Sequence, residues 1–499
     1  MARPEQLTER TVTPSNGPRH RAAPLRLPAI DQRLVVGAVF VVAMFMNILD
    51  STIVNVALPT MARDFHVNAD SIEWVVTGYL LGLAVFIPAS GWIGDRIGTK
   101  RVFLFALAAF TGASILCGLA TSLNELIAFR VLQGVGGGML TPVGTAMLFR
   151  AFPPAERAKA ASILIIPTVI APATGPVLGG LLVDTLSWRW VFYVNVPVGV
   201  AAFLFGLFFL HEHREPAKGG FDVFGFALSG AGLGLVLYAL SQGPVKGWGS
   251  SGVLGALVAG LLCFAVLVPV ELHRRYPMLR LALLGDRLFG TTNLVGIFAY
   301  GSFLGLLFIF PQFLQVGRGT SALVSGLCTF PEAIGVMLLS QLAARLYPRV
   351  GPRRLMVGGL VGVSAVMVVL ATVGITADLW WLRGLMFLLG ASMSFVFMSL
   401  QTATFATMSP ADTGQASALF NTQRQMAAAL GVALLATVFT TVVPDVGSAA
   451  HATVLSGFRA AFADAAGIAL IGAVISAFIH DKDAANTMRG AIDAAAVAS

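Results

Sequence analysis

Asp50 and Arg130 stand inside long apolar runs, where an ionised side chain needs a reason to be. A carboxylate at membrane depth costs about 2.5–3.5 kcal/mol on insertion scales, so it faces a cavity or a partner. On a helix advancing about 100° per residue, Asn47, Asp50, Ser51 and Asn55 span roughly 140° and form a polar face. A carboxylate there can load and release a proton. The competing role is a structural aspartate that anchors its helix by hydrogen bonds. Arg130, Gln133, Gly137 and Thr141 share an arc of roughly 80° on a second helix. A guanidinium about a turn and a half into the membrane holds an approaching carboxylate ionised; alternatively it snorkels to the outer headgroups.

Glu332 follows Pro331 near the midpoint of another apolar run. An acid among aromatic and aliphatic groups attracts lipophilic cations and can carry a proton, and a structural role is the alternative. Asn421-Thr-Gln-Arg-Gln425 is a polar cluster about two turns into its segment. It either lines the mouth of a cavity or lets Arg424 snorkel outward. Phe298, Tyr300, Phe303 and Phe308 are candidates to contact an apolar ligand, Tyr300 chief among them, although such aromatics also pack or face lipid. Asp464 and Arg459 are five apart, poor spacing for a helical pair, and read as structural.

Other chemistry has no foothold in the pattern. The chain carries no GxxxxGK[ST] phosphate loop, no HExxH and no GxSxG, so neither ATP use nor an enzyme is expected. Cys117, Cys263 and Cys328 lie in apolar runs as small packing residues. His211 and His213 flank Glu212 in what reads as a solvated linker, and no metal or other cofactor is expected.

The elements that carry these residues follow from composition. Hydrophobic residues make up 57% and charged residues 11% of the 499, against about 25% charged in soluble domains. Apolar runs of about 20 residues recur, the length that crosses about 30 Å of hydrocarbon as a helix. The runs are continuous, not alternating, which excludes a β-barrel. Fourteen segments are predicted, near 34–59, 71–93, 102–120, 125–149, 160–183, 189–210, 222–241, 252–270, 289–311, 321–344, 355–376, 381–405, 414–441 and 457–480. With the N-terminus inside, cytoplasmic tails and loops hold 24 of the 32 Lys and Arg, so both termini are expected in the cytoplasm. The net charge of +8 is thereby assigned to topology, and no nucleic acid is expected.

An internal repeat sets the organisation. Gly94-Asp-Arg-Ile-Gly-Thr-Lys-Arg101 returns as Tyr347-Pro-Arg-Val-Gly-Pro-Arg-Arg354, with Arg96, Gly98 and Arg101 matched by Arg349, Gly351 and Arg354. Pro154-Ala-Glu-Arg-Ala-Lys-Ala160 likewise matches Pro410-Ala-Asp-Thr-Gly-Gln-Ala416. The copies of the basic loop follow the second and tenth segments, which fits two six-helix halves with an extra pair between them. The expected division is a disordered cytoplasmic tail at 1–33, a six-helix bundle at 34–210, a linker with two extra helices at 211–288, a second bundle at 289–480 and a cytoplasmic tail at 481–499. Asp95 in the first copy has Pro348 as its counterpart, so the first loop is the better equipped.

Several motifs in order resemble the major facilitator superfamily, and within it the fourteen-helix drug:proton antiporter branch (EmrB/QacA-type), over about residues 34 to 480. Gly91-Trp-Ile-Gly-Asp-Arg-Ile-Gly-Thr-Lys-Arg101 is similar to the superfamily's loop between helices 2 and 3. Leu49-Asp-Ser-Thr-Ile-Val-Asn-Val-Ala-Leu-Pro59 and Trp188-Arg-Trp-Val-Phe-Tyr-Val-Asn-Val-Pro-Val-Gly199 resemble segments of the branch. Arg130-Val-Leu-Gln-Gly134 resembles a motif linked to proton coupling, and Gly175-Pro-Val-Leu-Gly-Gly180 one associated with exporters.

The resemblance implies an all-α major facilitator fold of 14 transmembrane helices (6+2+6), with Asp50 and Arg130 coupling protons. It implies gating by Asp95, Arg96, Gly98 and Arg101 at the loop and by Gly175, Pro176, Gly179 and Gly180 in the fifth segment. Glu332, Asn47, Asn55, Gln133 and Tyr300 are the substrate candidates. The expected protein is a monomeric antiporter in the bacterial inner (plasma) membrane, driven by the proton gradient and exporting lipophilic, cationic or amphipathic drugs. Alternatives are a dedicated exporter of one metabolite, lipid or antibiotic, an importer, or a non-transporting sensor.

Overall fold

The computed structural model describes residues 31–67, 69–72, 74–153, 156–214, 220–443 and 450–488; the side chains of 69–70, 159, 163–169, 172–173, 176–177 and 322–323 lie outside that description. Its long helices are α1 (Gln32–Asp64), α2 (Trp74–Ile97), α3 (Thr99–Leu119), α4 (Leu123–Ala151), α5 (Arg157–Thr185), α6 (Trp190–Phe209), α7 (Val223–Lys246), α8 (Ser251–His273), α9 (Arg287–Gln312), α10 (Ala322–Val350), α11 (Pro352–Thr372), α12 (Leu379–Thr404), α13 (Thr413–Val442) and α14 (His451–Ser476). Thirteen are long and apolar enough, over their described residues, to cross a membrane. The 29-residue α5 is the fourteenth span.

Polar residues at the breaks start the helices. The side chains of Ser122, Asp286, Ser321 and Asp378 accept from first-turn N–H groups of α4, α9, α10 and α12, satisfying donors that no preceding turn can reach.

The duplication read in sequence is present in the packing. In the first half α2 and α3 both pack on α4, α1 on α5, and α6 on α3 and α1. In the second, α10 and α11 pack on α12, α9 on α13, and α14 on α11 and α9, each partner shifted by eight helices. The halves meet the same way twice, α2 against α13 and α10 against α5. The extra helix α7 lies beside the first of these seams, on α2 and α13, while α8 packs chiefly on α7. Only 17% of the apolar window of α8 is buried, which leaves it facing outward.

At the ends that carry the two basic motifs, the halves are tied together. Arg150 of α4 donates to the Pro410 carbonyl at 3.1 Å, Arg157 to the Phe405 carbonyl, and Ser417 of α13 to the Pro142 carbonyl of α4 at 2.7 Å. Phe149 and Phe405 stack across the seam with ring centres 4.4 Å apart.

Some boundaries differ from the sequence reading. The basic motifs are not loops. α2 runs through Ile97 and α10 through Val350, so Gly98 or Gly351 is the single break before the next helix. Their φ values of +115° and +86° are a region that side-chain-bearing residues avoid, which is why a long helix can turn there in one residue. The expected tail at 481–499 is in part packed. Asp481–Ala484 forms a turn against the second half, and Tyr347 and Thr487 share a hydrogen bond at 3.0 Å. Residues 1–30 and 489–499 of the expected tails lie outside the described residues.

Candidate functional site

Asp50 of α1 and Arg130 of α4 meet inside the first half. Arg130 Nη1 lies 2.6 Å from Asp50 Oδ2, and both side chains are fully buried. Removing two charges from water is costly, and most of the pair's other valences are met, Arg130 Nη2 being the buried exception. Asp50 Oδ1 accepts from Gln133 Nε2 at 2.9 Å and from Asn195 Nδ2 at 3.0 Å. Arg130 donates to Gln133 Oε1 at 2.8 Å and to the Val75 carbonyl at 3.1 Å. Its guanidinium stands 4.2 Å from the Tyr79 ring centre, a cation–π placement. Ser114 of α3 accepts from both Gln133 and Asn195 at 3.1 Å.

The polar arc of α1 therefore divides. Asp50 points into its own bundle. Asn47 accepts from Tyr79 and donates to Thr141 at 3.4 Å, and Gly137 leaves room for it: a Cβ there would stand 2.7 Å from Asn47 Oδ1. Asn55 is exposed and, among the described residues, bonds only within α1, to the Ser51 carbonyl, so it does not join the network. An arc of 140° is too wide to be one face. The face of α4 with Arg130, Gln133, Gly137 and Thr141 holds together and packs on α1 and α2. Snorkelling by Arg130 is contradicted by its burial and its ion pair.

In the second half, Glu332 is 8% exposed and makes no hydrogen bond or ion pair among the described residues. Its backbone lies tight against α12, where a Cβ on Gly390 would stand 3.0 Å from Glu332 Cα. Tyr300 of α9 is buried, stacked on Phe397 and edge-on to Phe420, with Gln401 and Arg424 beside its hydroxyl. Arg424 therefore reaches inward, not to the surface. Phe303 joins the aromatic cluster, whereas Phe308 faces outward and Phe298 packs on Gly472 of α14. Arg459 donates to the carbonyls of Thr372 and Val373 and does not pair with Asp464.

The motif ends form the third region. Asp95 binds Arg150 at 2.7 Å and abuts the first turn of α13, where a Cβ on Gly414 would stand 2.6 Å from Asp95 Oδ2. A carboxylate at a helix N-terminus meets free N–H groups and the positive end of the dipole. Arg96 lies over the Trp92 ring, and Arg101 pairs with Glu212 at 3.5 Å. Glu212 also accepts from the Lys100 N–H at 3.0 Å, so the supposed solvated linker is part of the motif's framework. Asp481 does the same for the second copy, accepting from the Arg353 N–H at 3.0 Å. In α5, Gly175 and Gly179 face Thr52 and Ile53 of α1 in the same half, and Gly180 has nothing within 4 Å among the described residues. Pro176 lies in α5, with its side chain outside the described residues.

Sequence reasoning missed Asn195, Ser114, Tyr79, Arg150, Glu212 and Asp481. Asn195 had a signal, a lone amide in an apolar helix. Ser114 had none. No group of three or more metal-ligating side chains occurs among the described residues.

A duplicated six-helix membrane bundle with a charge pair sealed in one half defines the class, a polytopic transporter. Residues 40–432 match the model of the Major Facilitator Superfamily. The chain is 33% identical over 440 residues to a Mycobacterium tuberculosis protein named multidrug resistance protein B homolog, covering 86% of this chain and 80% of that one. It is 35% identical over 397 residues to the putative multidrug resistance protein MdtD of Serratia proteamaculans, covering 78% and 82%. In fold it is similar to the human organic anion transporter MFSD10 (TETRAN), with a TM-score of 0.63 at 16% identity over 89% of this chain and 99% of that one. The chain belongs to the Major Facilitator Superfamily.

Proposed function

We propose that the protein is a proton-coupled antiporter that exports lipophilic, cationic or amphipathic compounds from the cytoplasm across the plasma membrane, with both termini inside. The observation that carries the reading is the Asp50–Arg130 pair. It is the described membrane-embedded ion pair in which both side chains are fully buried, and its carboxylate is bonded from α4 and α6. A proton arriving at Asp50 cancels the charge that holds Arg130, so Arg130, Gln133 and Asn195 must re-pair and the helices must shift. That is a switch between two packings, the requirement for alternating access. The ties at the motif ends, Arg150 to Asp95 and Pro410 above all, are then the cytoplasmic seal of an inward-closed state. Asp50 and Arg130 couple protons, Asp95 and Arg96 with the flanking Gly98 and Arg101 act at the seal, and Gly175, Pro176, Gly179 and Gly180 shape α5 for rocking. Glu332 and Tyr300 contact substrate, whereas Asn47 and Gln133 act by supporting the pair. The residues at 34–210 and 289–480 work as two moving bundles. A monomer suffices, with the proton gradient in place of any cofactor. The relatives' names support drug efflux.

The test is resistance and efflux in cells lacking their own pumps. Expression should lower the accumulation of ethidium, and a protonophore should restore it while ATP is held constant. Accumulation unaffected by the protonophore would overturn proton coupling.

A further inference from the structure

Arg424 has no ion-pair partner among the described residues, although it stands well inside the membrane. It follows the start of α13 by eleven residues, about 16 Å along the axis. Ser417, Asn421 and Arg424 share an arc of roughly 60° on that helix. The lower end of this face touches the first half at Pro142, so one to two turns deeper it looks into the space between the halves. Tyr300, 4% exposed, has a hydroxyl without a hydrogen-bond partner of good geometry, with Arg424 and Gln401 beside it. Gln401 Oε1 is also buried and unpartnered, as are both amide atoms of Gln423, which lie against Gly296, one helical turn before Tyr300. Buried polar atoms left unpaired are costly, and several in one cluster mark a place that a polar guest completes. The stacked rings of Tyr300 and Phe397, 5.1 Å apart, and Phe420 edge-on at 6.2 Å give the guest an aromatic floor.

We propose that Arg424, with the Tyr300 hydroxyl and the Gln401 and Gln423 amides, is an anion-recognition pole of the transport site, selecting aromatic amphiphiles that carry a carboxylate. This rests on the reading that the space between the halves carries substrate. A planar guanidinium takes a carboxylate through two parallel N–H donors, and the phenol adds a third. Glu332, on α10 and read above as contacting substrate, would be the opposite pole for a guest bearing both a carboxylate and an amine.

The test is equilibrium binding to the purified full-length chain in detergent, read by scintillation proximity. Three tritiated probes share a naphthyl scaffold and end in a carboxylate, a neutral amide or a trimethylammonium. Arg424→Gln should weaken the carboxylate probe about tenfold or more and leave the trimethylammonium probe within about twofold. Arg424→Lys, which keeps the charge and guards against a folding defect, should retain part of the loss-prone affinity. Glu332→Gln should show the reverse selectivity. Equal weakening of all probes in Arg424→Gln and Arg424→Lys, or none, would overturn the anion pole. A wild-type chain that binds the trimethylammonium probe but not the carboxylate would overturn it while leaving the export reading intact. Wild-type protein that binds none of the three would overturn the site reading on which the pole depends.

Discussion

Removing both members of the Asp50–Arg130 pair together should cost less than the two single losses added. Asp50→Asn keeps the volume but leaves a fully buried guanidinium facing an amide, in place of a carboxylate 2.6 Å away. Arg130→Gln leaves a buried carboxylate with the Gln133 and Asn195 donors alone. Each single change should destabilise the fold by about 3–5 kcal/mol, the cost of an uncompensated buried charge. The double variant leaves no charge to strand, so its cost should fall short of the sum by about 2–3 kcal/mol. The assay is SDS titration of the purified protein in mixed micelles, followed by tryptophan fluorescence, for the wild type, both singles and the double. Losses that add within about 0.5 kcal/mol would refute the reasoning, because they would mean that the two side chains do not interact.

Other expectations follow from the same geometry. Asn195→Ala removes one donor from Asp50 and leaves Ser114 short of another; it should cost about 1–2 kcal/mol in the same titration and slow proton-coupled transport, whereas unchanged transport would make Asn195 mere packing. Gly414→Ala drives a methyl into both oxygens of the Asp95 carboxylate, so the cytoplasmic seal should loosen and the maleimide labelling of a Ser417→Cys reporter should rise several-fold over the same reporter with Gly414 intact. Gly98→Ala and Gly351→Ala force a side chain into positive φ against Glu212 and Asp481, and each should lose about 1–3 kcal/mol, while Gly180→Ala, with open space around it, should be nearly neutral.

Much of the fold was written in long-range patterns. Fourteen apolar runs and two copies of a basic motif were enough to define the halves, because a bilayer demands one helix per span and a duplication preserves offsets. Less of the site was legible. Asp50 and Arg130 announced themselves as charges in apolar runs, but the direction each faces depends on which helices touch, and periodicity cannot rank two faces of a polar arc. Thus Asn55, eight residues after Asn47, lies outside the network, while Asn195, 145 residues from Asp50, belongs to it. Ser114 is a small hydroxyl of a kind common in membrane helices, with nothing in its neighbourhood to mark it. Glu212 and Asp481 looked solvated because they sit in polar stretches; only the positive-φ glycines they pack against reveal their positions.

The central claim is that Asp50 exchanges protons in step with substrate. Purified protein in liposomes with trapped pyranine and an imposed pH gradient tests it most directly. Adding ethidium should discharge the gradient across wild-type liposomes and leave it intact with Asp50→Asn, at matched protein incorporation. Ethidium-driven proton flux of equal size in Asp50→Asn would contradict the account.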